Sequence, residues 1–328
     1  LPVPVALRKM IVPAVVSQLI VLIYNMADTF FVGQTNNPYM VAGTSLILPV
    51  FNITLCLAGL AGIGGGSLIS RLLGQQKQKD ANIIGSTAFF SALAFGLLLT
   101  IFGLSFVDGL MDLLGATSTI LPYARGYAQY ILFGAPIMCA SFVLNNILRS
   151  EGKAALSMIG LTLGGVLNIA LDPLFIFGFH WGIKGAAWAT VIGQIASGCL
   201  VIVYFVRFKK MGLTVEMLKP RGMYIKGILT LGMASCINQI AMAIVQIVLN
   251  NTLRYYGSLS VYGSDIPLAC VGVIAKVNMV FMAICIGLAQ GCQPIWGFNY
   301  GAGNYVRVRH TYKRSMQIAL AVGGICFV

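Results

Sequence analysis

The sequence predicts an all-α membrane protein with many spans, arranged as two related helical bundles. Three observations predict it: the composition, a series of apolar windows of membrane-crossing length, and an internal repeat. Hydrophobic residues make up 58% of the 328 positions and charged residues 9%, against about 25% charged in soluble domains. A soluble chain of this length buries its core with far less apolar sequence. The formal net charge of +13 does not point to nucleic acid, because the basic residues sit in short loops between apolar segments rather than on one stripe.

Helices are the expected spanning element, because hydrocarbon offers backbone groups no partners. A span needs about 20 apolar residues. Such windows fall near 10–32, 39–70, 83–107, 121–147, 156–178, 185–206, 226–251, 267–297 and 317–328. The intervening loops alternate in charge. One side collects Arg8 and Lys9; Arg71, Lys77 and Lys79; Arg149 and Lys153; the basic stretch 207–226; and Arg307, Arg309, Lys313 and Arg314. The other side carries GQTNNPYM, DGLMDLLGATST, FHWGIK and RYYGSLSVYGSD, with Lys184, Arg254 and Arg125 as its basic residues. The positive-inside rule makes the first side cytoplasmic and places the N-terminus there. The chain opens on Leu1 and stops at Val328 inside an apolar run, so we expect a longer protein of which the last spans are missing. The first apolar stretch is too long for a signal peptide.

Two segments repeat. GLAGIGGGSLISRLLGQQKQKDA ends the second span, and GLAQGCQPIWGFNYGAGNYVRVRH ends the eighth. Gly64 aligns with Gly291 and Gly74 with Gly301, at the same spacing. Both segments lead into a basic loop. The expected organisation is a first lobe over 1–206, a linker over 207–225 and a second lobe over 226–328. Such repeats characterise secondary transporters. The eight cysteines are scattered, with no CxxC pair or zinc spacing, and are expected to pack as small apolar residues.

The chemistry sits in two acids. The chain has eight acidic residues, most of them in loops, yet Asp28 closes the first span and Asp172 lies in GGVLNIALDPLFIFGF. An ionisable residue in hydrocarbon is costly and marks an ion or proton path. Asn168 and Asp172 are one helical turn apart and share a face. Pro173 removes a backbone donor and displaces the carbonyl of Ile169. An amide oxygen, a carboxylate and a freed carbonyl then lie at one depth, a set that suits Na⁺ or a proton. Thr190 on the next span adds a hydroxyl, and Asp28 a second carboxylate. Two such acids resist ionising together. The other reading of Asp172 is a helix-bending Asp-Pro, and of Asp28 an interfacial residue.

The stretches PAVVSQLIVLIYNMADTFFVGQ, NIALDPLFIFGF and GCQPIWGFNYGAGN closely resemble the multidrug and toxic compound extrusion (MATE) transporters, nearest the bacterial MepA-like and DinF-like branch. The similarity runs along the whole chain. It implies twelve spans in two six-helix lobes around a central cavity, of which about nine are present here. It further implies a bacterial inner-membrane antiporter that exports lipophilic, often cationic drugs against H⁺ or Na⁺. Membrane lipids surround it, nucleic acid is no partner, and the chain is expected to act as a monomer without a cofactor. Asp28, Asn168, Asp172 and Thr190 match the family's first-lobe cation site. Pro13 matches a bending proline, and Tyr24 and Asn145 match cavity residues, although an interhelical hydrogen bond explains those two equally well.

Gln239 on span seven lines the cavity or bonds a neighbouring helix. Lys276 on span eight pairs with an acid, repels cationic substrate, or snorkels to the interface. Two other classes remain. A flippase for lipid-linked precursors would line its cavity with several basic residues, and this sequence offers chiefly Lys276. An intramembrane enzyme is disfavoured, because His180 and His310 fall in loops and no metal or phosphate motif is present.

Overall fold

A computed structural model of the chain describes residues 2–35, 37–114, 119–207, 222–259 and 265–327. The described residues are helical throughout: α1 (Val3–Gly33), α2 (Pro38–Leu46), α3 (Leu48–Gly74), α4 (Gln78–Ser105), α5 (Val107–Leu113), α6 (Leu121–Ser150), α7 (Ala154–Pro173), a π-turn (Leu174–Gly178), α8 (Ile183–Arg207), α9 (Gly222–Ser258), α10 (Asp265–Gly301) and α11 (Tyr305–Phe327). Eight candidate spans among the described residues are long and apolar enough to cross a membrane. The expected ninth window falls in α11. That helix is not among the eight, because its first half carries Arg307, Arg309, Lys313 and Arg314. The second window is broken at Ile47. Pro49 sits just inside the new helix, where its missing N–H costs nothing, and it biases the preceding backbone away from a continuous helix.

α1, α3, α4, α6, α7 and α8 pack into one bundle, while α9 and α10 lie against its α1 and α3. The repeat is visible in how the helices end. After α3, Gln76 takes a left-handed backbone (φ 61°) and Lys77 N donates to Leu72 O at 2.9 Å. After α10, Gly303 does the same (φ 73°), and Asn304 N donates to Asn299 O at 2.9 Å. Both are left-handed turns that satisfy carbonyls the helix leaves open. Glycine adopts this backbone freely, and Gln76 does so at a conformational cost.

The contact between α9–α10 and the first bundle is a glycine seam. A Cβ on Gly64 of α3 would strike the Ile228 carbonyl of α9, and one on Gly291 of α10 would strike Ile11 of α1. These two contacts are images of each other under the repeat: α3 on α9, α10 on α1. Gly74 meets Phe298 O and Gly301 meets Arg71 O, so the second aligned pair packs against its own counterpart. Polar clasps cross the same seam. Gln18 Nε2 donates to Gln290 Oε1 at 2.9 Å, and Gln293 Nε2 donates to Ser67 Oγ at 2.7 Å. Cys56 of α3 and Cys236 of α9 are joined across the seam, a pairing that the scattered cysteines gave no reason to expect.

Gly74→Val places a side chain where the Phe298 backbone sits. Overpacking of this kind costs about 1–3 kcal/mol, so the melting temperature of the purified full-length protein falls. Gly109→Val, with nothing within 4 Å of its Cβ, serves as the control: it meets no neighbour and loses no helix propensity, since valine is a better helix former than glycine.

Candidate functional site

Three helices of the first bundle bring the expected residues together. Thr190 Oγ1 of α8 lies 3.1 Å from Asp28 Oδ2 of α1 and 3.1 Å from the Ala186 carbonyl of its own helix. It has one proton for the two acceptors. Asn168 Nδ2 of α7 lies 3.4 Å from Asp28 Oδ1 and 3.4 Å from Thr190 Oγ1. Asp172, one turn further along α7, is fully buried at 0% exposure. It lies beside Asp28.

The cluster is short of donors. Neither oxygen of Asp172 nor Oδ1 of Asn168 has a hydrogen-bond partner, though all three are buried. Buried acceptors without partners are rare and call for an explanation. Three buried oxygens without partners, with a hydroxyl and a second carboxylate on the neighbouring helices, fit a proton or a desolvated Na⁺. Asp28 itself is half-buried, so the cluster has one partly exposed member and one fully buried one.

Local sequence sets this geometry. α7 ends at Pro173 without a break in the helical path. The helix widens there into the π-turn, where Phe179 N donates to Leu174 O at 2.9 Å. A π-turn is one way a helix accommodates a lost backbone donor, and it is often found at functional sites. Beside the cluster, Gly164 of α7 and Gly193 of α8 let their backbones meet: a Cβ on either would lie 2.6 Å from the other's carbonyl oxygen.

The remaining expected residues separate. Tyr24 lies one turn before Asp28, and Gln194 Nε2 reaches its hydroxyl at 3.5 Å. A cavity of about 10 Å³ lies there, lined by Tyr24, Gly164, Asn168, Thr190, Gln194 and Ser197 among others, at the lower limit for one water. Asn145 lies inside the bundle, 1% exposed. It bonds the Ser141 carbonyl (2.9 Å), Ser197 Oγ (3.2 Å) and Ser157 Oγ (3.0 Å). The interhelical hydrogen-bond reading of Asn145 is therefore the one its contacts match. Pro13 lies inside α1, where Ser17 Oγ takes its carbonyl at 2.7 Å. Gln239 is half-buried on α9. The Lys276 side chain lies outside the described residues.

Sequence reasoning missed Gln194, Ser197 and Ser157. Gln194 stands one turn after Thr190, the same spacing that drew attention to Asn168 and Asp172. A larger hollow of about 410 Å³ at the α7–α8 turn is lined by Tyr130, His180, Trp181, Lys184 and Trp188. Its aromatic character suits a membrane–water boundary.

Comparison with known proteins places the chain in a family. The family model described as MatE matches residues 13–174 and 234–328. The "Multidrug export protein MepA" of Staphylococcus haemolyticus (strain JCSC1435) is 29% identical over 322 residues, covering 98% of this chain and 70% of the relative. The protein of the same name from Staphylococcus aureus (strain MSSA476) is 29% identical over 328 residues, covering 100% of this chain and 71% of the relative. A multidrug resistance MATE family transporter of the MOP superfamily, solved in an outward-facing conformation, superposes with a TM-score of 0.89 at 28% identity, covering 97% of this chain and 69% of that one. A MATE crystal structure in the straight conformation gives 0.89 at 28% identity, with 97% and 70% covered.

Thr190→Val keeps the shape of the residue and removes the hydroxyl between Asp28 and Asn168. A hydrogen bond to a charged group contributes about 1.5–3 kcal/mol. We expect a lowered melting temperature for Thr190→Val and a near-normal one for Thr190→Ser.

Proposed function

The chain belongs to the MatE family of membrane transporters, and from that premise we propose that it is a secondary active multidrug efflux antiporter, exporting lipophilic, often cationic compounds in exchange for H⁺ or Na⁺. The observation that carries the reading is the donor-poor cluster of Asp28, Asn168, Asp172 and Thr190 inside an apolar bundle. The relatives' description as multidrug export proteins supports the drug substrate. The basic end of the bundle is cytoplasmic in this reading, by the positive-inside rule.

The residues divide the work. Asp172 and Asn168 offer the buried oxygens without partners. Asp28 supplies the second charge and the more exposed side of the cluster, and Thr190 stands between it and Asn168. A cation or proton that enters relieves the repulsion between the two acids and supplies what the orphaned oxygens lack. Its binding therefore differs in strength between conformations that bring α1 to α7 and those that part them. That difference is the quantity an antiporter uses to shift its equilibrium. The seam along α3–α9 and α1–α10 closes the basic end, so the lobes in this state can open only toward the other side. The likeness to an outward-facing relative supports that assignment.

Asp172→Asn is expected to abolish drug resistance in a sensitised bacterium at unchanged membrane expression; normal resistance in that strain would remove the site assignment. The same oxygens serve H⁺ and Na⁺, so proteoliposomes of the full-length protein with each gradient imposed separately choose between them.

A further inference from the structure

The first bundle holds a buried charge that the cluster does not use. Arg149 lies in the last turn of α6, at the basic end, and is 3% exposed. Its Nη1 is buried without an acceptor. No described carboxylate lies within ion-pairing distance of it; the ion pair among the described residues is Arg125 with Asp108, at the far end of α6. A guanidinium removed from water without a partner is costly and demands a reason.

Its position supplies one. Arg149 follows Asn145 by one helical turn on the same face, and helical side chains lean toward the N-terminus, here toward Asn145. Asn145 bonds Ser157 of α7 and Ser197 of α8. Ser197 lines the same small cavity as Gln194, Tyr24, Asn168 and Thr190, and Thr190 and Asn168 touch Asp28. Ser141 Oγ, buried on the same side of α6, also lacks a partner. A polar column therefore runs from the carboxylate pair toward the basic end. On α7 it spans Asp172 to Ser157, roughly 22 Å at 1.5 Å per residue. Interhelical hydrogen bonding accounts for Asn145 and its serines. It does not account for a buried cation at their end whose Nη1 lacks an acceptor and which has no ion-pair partner among the described residues.

We propose that Arg149 plugs this column electrostatically, holding the coupling cation at the carboxylate pair and blocking its leak through the first lobe to the basic side. A fixed positive charge in a narrow, weakly hydrated passage excludes cations, as in other selective pores. The hydroxyl and amide groups with room for water would otherwise give a proton a path. The proposal rests on the cation-coupled reading above and adds a residue and a route to it.

The test uses the full-length protein in proteoliposomes, without drug, under an imposed pH gradient followed by an internal pH-sensitive dye. A parallel set carries radiolabelled Na⁺. Wild type and Arg149→Lys stay tight. Arg149→Met leaks at least tenfold faster, and adding Ser197→Val, which removes a hydroxyl from the column, returns the leak toward wild type. Arg149→Met that still binds drug and is as tight to both cations as wild type overturns the proposal. So does a leak that Ser197→Val leaves unchanged. Failure of the coupling reading shows separately, as wild-type drug efflux that ignores both gradients.

Discussion

Carboxylates placed where water hardly reaches are the constraint on which the rest of this structure depends. Asp172 has no exposed surface and no donor, so its surroundings must tolerate an incomplete shell until a cation or proton completes it. Three helices are needed to do that. α7 supplies Asn168 and Asp172 from one face, α8 supplies Thr190, and α1 brings Asp28 across. The glycines where α7 and α8 meet follow from the same need. Polar groups this far from water must reach one another directly, and only backbones without side chains between them approach closely enough. The π-turn after Pro173 belongs to the same solution, since it takes up the lost hydrogen bond without breaking the helical path beside the site.

The sequence disclosed what lies within one helix and little of what lies between helices. Asn168 and Asp172 were legible because i and i+4 share a face whatever the tertiary fold. The spans were legible because hydrocarbon leaves the chain few choices, and the paired glycines because two equal spacings signal a repeat. The place of Asn145 was not legible. Its helix offers a polar residue with several possible neighbours, and the choice of Ser157 and Ser197 depends on how α6 rotates against α7 and α8. The meeting of Cys56 with Cys236 is hidden for the same reason, being a register between two helices far apart in the chain. Lys276 stays as the sequence left it, outside the described residues.

The repeated helices share turns and seam glycines without sharing every residue. The turns that end α3 and α10 bond equivalent atoms, yet one uses Gln76 and the other Gly303. The seam uses equivalent glycines on both sides. Asp28 of α1 has no acidic counterpart on α9, which carries no acid, and the acid on α10 is Asp265 at its first residue. A repeat preserves what packing requires and leaves the polar interior free to differ.

α1 ties the two together. Near one end it carries Asp28, bonded to Thr190 and Asn168. Toward the other it carries Ile11 and Val15, packed on Gly291 and Gly287 of α10, and Gln18, bonded to Gln290. A helix transmits displacement along its axis because its hydrogen bonds resist compression, and it bends where one is missing. Pro13 removes one in the middle of the seam segment. Any change in the balance of charge at Asp28 that shifts α1 against α7 therefore reaches the seam through the same helix. The seam is poorly suited to absorb it gradually. Close-packed backbones either fit or separate, since a glycine contact has no side chain to yield. Under the proposed antiport, that is how filling a few orphaned oxygens at one depth of the membrane becomes a two-state movement at another.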